Sequence, residues 1–503
     1  MPAINQKLLG WIFAAGIILL VLSSIVRGDF MMAGASLMLF FLAPVLVRPD
    51  LFWMAAIVTL GSGITLGLHG GANLHLLLML GFVFLTLIKL SISSRHSAQP
   101  SVTRKACGIL LLIVVFTATW RGWGLKLLES NIWGGMQYVS LIAALLFYIY
   151  STHASVSHIH LKRTLQWFFI VSFLPAAALL IVRYIPEMTW IRAFIEIGDQ
   201  TDQQWQASEV TRWTFMQYPA IWIGVAGLFL YDRHSRITPM VVLTAALSFI
   251  MLGLSGHRTV VVLLGLTVLV YMAVRQRTAR FSQFLKFTAV LVLLTAALYC
   301  FVGKLPLTFQ RPFAWLPGIG ITYEAGASAA VTSQWRIELW RQLLAMVPDY
   351  LWVGRGMAFN ASEANAAAVL ASDRGTQYIY FAAVHNYHNG PLWLVLDLGV
   401  AGFAAGVIFM LGGIVRYGRA LRRIAPGEHW QTSYVVFYSL FTGYCIFFFA
   451  VIGGVIYLCH ILVLASILEV ILRSSDAENR GKKSIAEPEE KRVDVYNVQM
   501  ESL

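Results

Sequence analysis

The chain is 503 residues long, 58% hydrophobic and only 12% charged, with a mean hydropathy of +0.71. That balance lies far from the usage of water-soluble domains and excludes a soluble enzyme or binding module. The formal net charge of +13 does not point to nucleic acid, because the basic residues stand in alternate short loops rather than on one face.

Apolar runs of about twenty residues read as membrane-spanning helices, since the hydrocarbon core is roughly 30 Å thick. Fourteen such runs stand near 8–26, 30–47, 51–69, 73–93, 106–120, 134–151, 164–184, 214–231, 238–254, 258–274, 284–302, 389–415, 433–450 and 453–472. Several are short enough to be re-entrant, which puts the count at about 12–14. The expected fold is all-α and polytopic. Lys89, Arg95, Arg104 and Lys105, then Arg233 and Arg236, then Arg275, Arg277, Arg280 and Lys286, then Arg416, Arg419, Arg422 and Arg423 mark the cytoplasmic loops. Both termini are then cytoplasmic, and the loops near 183–213 and 303–387 lie outside. The chain divides into a bundle of about 11 spans (1–302), a large outer loop with helices (303–387), the C-terminal spans (388–472) and a charged tail (473–503) expected to be disordered.

The residues around Met1–Gly10 lack a strong basic region and no A-x-A site follows, so the first run is expected to remain as a span. Cys107, Cys300, Cys445 and Cys459 fall in or beside spans without metal-type spacing and read as small apolar fillers. Arg121, Lys126 and Glu129, with Trp120, Trp123 and Trp133, read as an interfacial girdle. The acidic, Trp-containing loop from Arg183 to Gln217 reads as a short surface helix.

Between the ninth and tenth runs only the turn Leu254–Thr259 remains, so Arg258 sits at the membrane edge, where an arginine needs a partner or an anionic ligand. The long loop opens with an irregular stretch, Lys304 to Ile321. Ser333 then reads as the cap of a helix to about Met346, stopped by Pro348, with Arg336 and Trp340 on one side of it. Val353-Gly-Arg355-Gly356 reads as a turn that presents Arg355. Asn360 or Ser362 caps a second helix, Glu363 to Ala371. Two His-Asn pairs, at His385 and His388, close the loop immediately before an apolar run. The chemistry is expected at this junction, Val384 to Gly402.

Arginine is the side chain for bidentate contact with phosphate oxygens, and neutral histidine is the usual base for a hydroxyl. A set of outer-face arginines with a histidine suits displacement of a lipid-linked diphosphate by a sugar hydroxyl. No G-x-x-x-x-G-K-S/T loop, G-x-S-x-G elbow, H-E-x-x-H pair or outer-face Asp-x-Asp occurs. Asp397 is the one acid inside the twelfth run, expected to hydrogen-bond a neighbouring helix.

These residues resemble a family. His388-Asn389, nine residues, then Gly399-Val-Ala-Gly402 is similar to the His, then Asn, Ser or Gln, x9, Gly-x-x-Gly pattern of bacterial O-antigen ligases and the related O-antigen and exopolysaccharide polymerases. Counting from Asn386 puts Leu396 where the glycine belongs, so the pattern selects His388. Ser255-Gly-His-Arg258 resembles the family's S-x-x-R signature, Ser333-Gln-Trp-Arg336-x3-Trp340 its S-R-x3-W segment with two residues inserted, and Pro348-x5-Gly354-Arg355-Gly356 its P-x5-G-x-G turn.

The resemblance implies a glycosyltransferase of C-type architecture in the bacterial inner membrane, active on the periplasmic face. It implies an inverting transfer from undecaprenyl diphosphate without a metal or other cofactor. His388 is then the base, Arg258, Arg336 and Arg355 hold the diphosphate, and His385, Asn389 and Trp340 support them. A ligase would take lipid A–core as acceptor and a polymerase another lipid-linked repeat; the His-Asn-x9-Gly spacing favours the ligase. Partners are the bilayer, the donor, the acceptor and other polysaccharide-assembly proteins, with no nucleic acid. The alternatives are a lipid-linked glycan flippase, which would need a charged path through the membrane, and a non-catalytic assembly scaffold.

Overall fold

Without water to bond the backbone, an apolar chain of this length has to satisfy its amides within helices. The computed structural model describes residues 49–60, 74–92, 101–124, 132–154, 156–193, 216–234, 237–275, 299–314, 316–371, 376–422 and 430–486, with a few isolated positions (289, 292, 296 and 424). Its helices are α1 (Pro49–Thr59), α2 (Leu74–Ile92), α3 (Val102–Arg121), α4 (Gly135–Ser151), α5 (His158–Val171), α6 (Leu174–Tyr184), α7 (Gln217–His234), α8 (Pro239–Ser255), α9 (Arg258–Arg275), α10 (Tyr323–Tyr350), α11 (Ala361–Leu370), α12 (Gln377–Ala383), α13 (Gly390–Leu421), α14 (Gln431–Ala450) and α15 (Val455–Ala486). Two short strands, β1 (Ile132–Trp133) and β2 (Phe359–Asn360), pair antiparallel with Trp133 opposite Phe359. The all-α, polytopic class expected from composition is the class observed.

Among the described residues, seven helical segments are long and apolar enough to cross a bilayer: α2, α3, α5 with α6, α9, α13, α14 and α15. Helices α1, α4 and α8 are apolar but shorter. The expected runs near 8–26 and 30–47, and most of 284–302, lie outside the described residues. Helix α14 is buried on every side from Tyr434 to Cys445, as an all-round apolar helix should be, and it contacts α7, α9, α13 and α15. Helix α13 turns Gly402, Ala405, Gly406, Phe409 and Gly413 inward and packs along α3, small residues letting the backbones close up. On the outside of α3, Ile109, Leu112 and Phe116 are exposed at helical spacing, a face for lipid rather than water.

At the end of the bundle away from the N-terminus of α13, buried Glu469 of α15 accepts from Arg416 Nη2 at 2.7 Å and from the Tyr417 hydroxyl at 3.0 Å. The Tyr148 hydroxyl of α4 donates to Thr103 Oγ1 of α3 at 2.8 Å and lies 3.4 Å from the same carboxylate. A buried charge is tolerated only when paired in this way, so four helices are tied at one point.

Several local expectations are corrected. Helix α10 starts at Tyr323, ten residues before Ser333, and its cap is Thr322, whose hydroxyl accepts from Ala325 N. The alanine-rich turn before Ser333 extends the helix backwards, and Pro348 stands in the last turn, where it removes only the bond back to Leu344. The stretch from Lys304 to Ile321 contains short helical turns, Leu307–Gln310 and Arg311–Phe313. Of the loop from Arg183 to Gln217, a 3-10 segment, Pro186–Ala193, is described and 194–215 lies outside the described residues. The expected tail begins as helix: α15 continues to Ala486, with Ser474 accepting from Val156 N and Glu478 from Trp430 Nε1.

Candidate functional site

The site is built where the long loop docks on a break in α13. Gly399 has φ 73° and ψ −179°, a conformation only glycine adopts readily, and the helix is interrupted there. The carbonyls freed by the break are taken by the turn after α10: Arg355 N donates to Leu396 O, and Gly356 N to Asp397 O at 3.0 Å. In return Val400 N donates to Leu351 O at 2.7 Å. A Cβ on Gly354 would stand 2.5 Å from Asp397 O, and one on Gly399 2.6 Å from Trp352 O. The two glycine motifs, 43 residues apart from Gly356 to Gly399 in the chain, are therefore the two sides of one backbone contact.

That contact is clamped from outside. Arg121 Nε donates to Gly354 O at 2.9 Å, Met357 N donates to the Tyr138 hydroxyl at 2.8 Å, and β1 pairs with β2. Arg121 and Trp133, read from sequence as an interfacial girdle, belong instead to this clamp. Nothing local in the sequence announces it, because the partners lie over two hundred positions away.

His388 ends the segment at the N-terminus of α13. Asn389 is the helix cap, its side chain accepting from Leu392 N at 3.0 Å. His385 and His388 both have left-handed backbones, φ 59° and 51°, strained for non-glycine residues. Trp340 Nε1 donates to Tyr387 O at 3.0 Å and fixes the chain immediately before His388. The imidazole of His388 stands edge-on to Phe381 and Trp335 at 4.9 and 5.3 Å, and those two rings stack on each other at 4.9 Å. Both ring nitrogens of His388 are sealed and meet no partner among the described residues. Burial first, then the charge of Arg336, then His257, lowers its pKa to about 3, so the ring is neutral at physiological pH.

Arg258 and Arg336 converge beside it. Arg336 lies over the Trp335 ring at 5.5 Å, and Arg258 donates to Ser333 Oγ and Ala329 O, each at 3.3 Å, on the same helix. Among the described residues neither arginine has a carboxylate partner, and Arg336 Nε is sealed without an acceptor. Burial first, then Arg258, brings the Arg336 pKa down to about 10, which still leaves it charged. Two half-buried cations that act on one another make a candidate anion site.

Arg355 lies elsewhere. Beyond its backbone bond to α13, its Nη1 donates to Ala382 O at 3.3 Å, and it faces Tyr387. Tyr387 donates to Asp397 Oδ1 at 2.8 Å, and His385 Nδ1 meets the same oxygen at 3.0 Å. Burial, then Asp397, pushes the Tyr387 phenol well above its ordinary value. Asp397 thus binds the loop residues just upstream of its own helix, not a neighbouring helix as expected. The structure brings His388, Arg258, Arg336, Trp340 and Asn389 together, and sets His385 and Arg355 in the supporting layer behind them. Phe381, which stands against His388 together with Trp335, was not singled out from sequence; an aromatic residue in an outer loop carries no signal of its own.

A model of the O-antigen ligase family matches residues 243–407, the stretch holding Arg258, Arg336, Arg355 and His388. No curated protein matches the chain. Over this stretch, about a third of its length, the chain is similar to the O-antigen ligase family.

Proposed function

We propose that the protein is a glycosyltransferase moving a glycan from undecaprenyl diphosphate to an acceptor hydroxyl on the periplasmic face of a bacterial inner membrane. Within that class we favour the ligase, with lipid A–core as acceptor. The observation that carries the reading is the sealed, neutral His388 beside two arginines that have no described carboxylate, at the end of a transmembrane helix.

In this reading Arg258 and Arg336 hold the diphosphate and stabilise the charge that develops as the glycosidic bond breaks. His388 takes the proton from the attacking hydroxyl as the acceptor oxygen bonds to the anomeric carbon, and the carrier leaves as undecaprenyl diphosphate. A base with its pKa near 3 is weak. An anion between the arginines removes part of the charge acting on the ring, so donor binding raises the basicity of His388. Attack from the face opposite the leaving diphosphate gives inversion. Arg355, with its bonds to Ala382 and Leu396, acts as a positioning residue rather than a diphosphate ligand. Trp340 and Asn389 hold the His388 backbone.

The test is the glycan left on the carrier when the gene is deleted. Long unattached chains support the ligase. Single repeat units support the polymerase, which would use the same site. No lipid-linked glycan on the outer face would support a flippase and overturn the enzyme.

A further inference from the structure

At the end of the bundle opposite the candidate site, three cations from different helices converge on one histidine. Arg104 and Arg121 stand 17 positions apart in α3, about 25 Å along the helix. Arg121 clamps the Gly354 turn, so the end that bears Arg104 reaches the other leaflet. There Arg104 Nη2 donates to His153 Nε2 at 3.2 Å, in the turn after α4. The imidazole accepts at that nitrogen and is therefore neutral. Lys89 stands in the last turn of α2, which packs on α4. Arg473 stands on α15 beside Ser474, whose hydroxyl accepts from Val156 N at 3.3 Å, three residues beyond His153. Burial first, then Arg104, Arg473 and Lys89, lowers the His153 pKa to about 4.

A neutral imidazole satisfies one N–H of Arg104 but leaves its charge unanswered. Among the described residues neither Lys89 nor Arg104 has a carboxylate within ion-pair distance. Glu469, which also acts on Arg104, is already bonded to Arg416 and Tyr417. Lys89 and Arg473 are exposed and Arg104 is half-buried, so an anion reaches all three from outside.

Towards the membrane centre the surface below these cations is apolar. On α2, Leu77, Phe84 and Ile88 are exposed at spacings of seven and four, a stripe that ends beside Lys89. On α3 the exposed stripe Ile109, Leu112 and Phe116 begins in the turns after Arg104. Both helices pack on α4, where Ile142, Leu146 and Ile149 are half-buried at spacings of four and three and lead to the turn with His153. Cations at the head of apolar stripes match the two parts of a phospholipid, its phosphate and its acyl chains.

We propose that Lys89, Arg104 and Arg473 form a binding site for the phosphate of an anionic diacyl phospholipid, in the leaflet away from the candidate site. The acyl chains lie along the exposed faces of α2 and α3. The site is independent of the transfer reaction. Its occupant offsets the repulsion among cations that α2, α3 and α15 bring together.

The test is native mass spectrometry of the full-length protein in micelles supplied with phosphatidylglycerol or phosphatidylcholine, read as the affinity of the first retained lipid. Wild type is compared with Lys89→Gln/Arg104→Gln and with Lys162→Gln/Arg163→Gln, an exposed basic pair on α5. Wild type is expected to prefer phosphatidylglycerol about thirtyfold. The Lys89 and Arg104 substitutions are expected to remove about tenfold of that preference, and the α5 pair less than about twofold. Equal retention of the two lipids by wild type overturns the site, a result that needs no variant to fold. Equal losses in the two double variants would mean general attraction to a basic face and overturn it as well. Inorganic phosphate that is itself retained and displaces phosphatidylglycerol would assign the cluster to a free anion and overturn the lipid.

Discussion

His388 stands in a left-handed conformation, edge-on to two stacked aromatic rings, with neither nitrogen bonded among the described residues. A residue kept strained and desolvated contributes little to stability, and such an outlier supports the role proposed for it at a ligand. His388→Ala is expected to lower transfer by about 10²–10⁴-fold, the usual contribution of a general base, with little change in melting temperature. Its titration gives a second check. The folded value of about 3 lies below the ordinary 6.5, so the neutral ring's contribution to stability is whole above about pH 6.5 and is lost as pH falls towards 3. In catalysis, kcat/KM reports the free enzyme and should stay level from pH 8 to about 5 on account of this group, with the acid limb of kcat at higher pH. A kcat/KM limb near 6.5 that disappears in His388→Ala would contradict the assigned environment.

At the scale of elements, the break in α13 is the feature that positions everything else. Gly399→Ala would place a methyl group against Trp352 O and force alanine to the Gly399 backbone angles, costing roughly 3 kcal/mol, read as a lower melting temperature. Asp397→Ala leaves His385 and Tyr387 without their shared acceptor and should cost about 2–5 kcal/mol. The sequence made part of this legible. The apolar run after His388, the Asn389 cap position and the glycines of the turn all carry local signals, in hydropathy, capping chemistry and backbone freedom. It did not reveal that Gly354–Gly356 and Gly399 meet, that Arg121 and Tyr138 clamp the turn, or that α10 begins at Tyr323. Those depend on pairings between distant segments, and a local pattern such as Ser333 before a polar run mimics a cap that tertiary packing overrides.

At the scale of the whole molecule, hydropathy and the placement of basic residues were enough for the class, because the bilayer permits so few architectures. They were less reliable for extent: the charged stretch after Leu472 continues as helix to Ala486, held by Ser474 and Glu478. The same basic pattern is the ground for proposing that the α10–α12 loop lies outside and the end of α13 inside. In a Cys300→Ser background, Ser362→Cys is expected to react with a membrane-impermeant maleimide in intact spheroplasts, and Arg422→Cys only after lysis. The reverse pattern would invert the proposed orientation.

The central claim is that one site at the N-terminus of α13 transfers a glycan from a lipid diphosphate. The most direct measurement is transfer by the purified protein in proteoliposomes, supplied with undecaprenyl-diphosphate-linked glycan and lipid A–core, comparing wild type with His388→Ala and Arg336→Ala. The account predicts glycosylated acceptor and released undecaprenyl diphosphate with wild type, and loss of both products in the two variants while the fold is retained. Full transfer by a folded His388→Ala protein would contradict it.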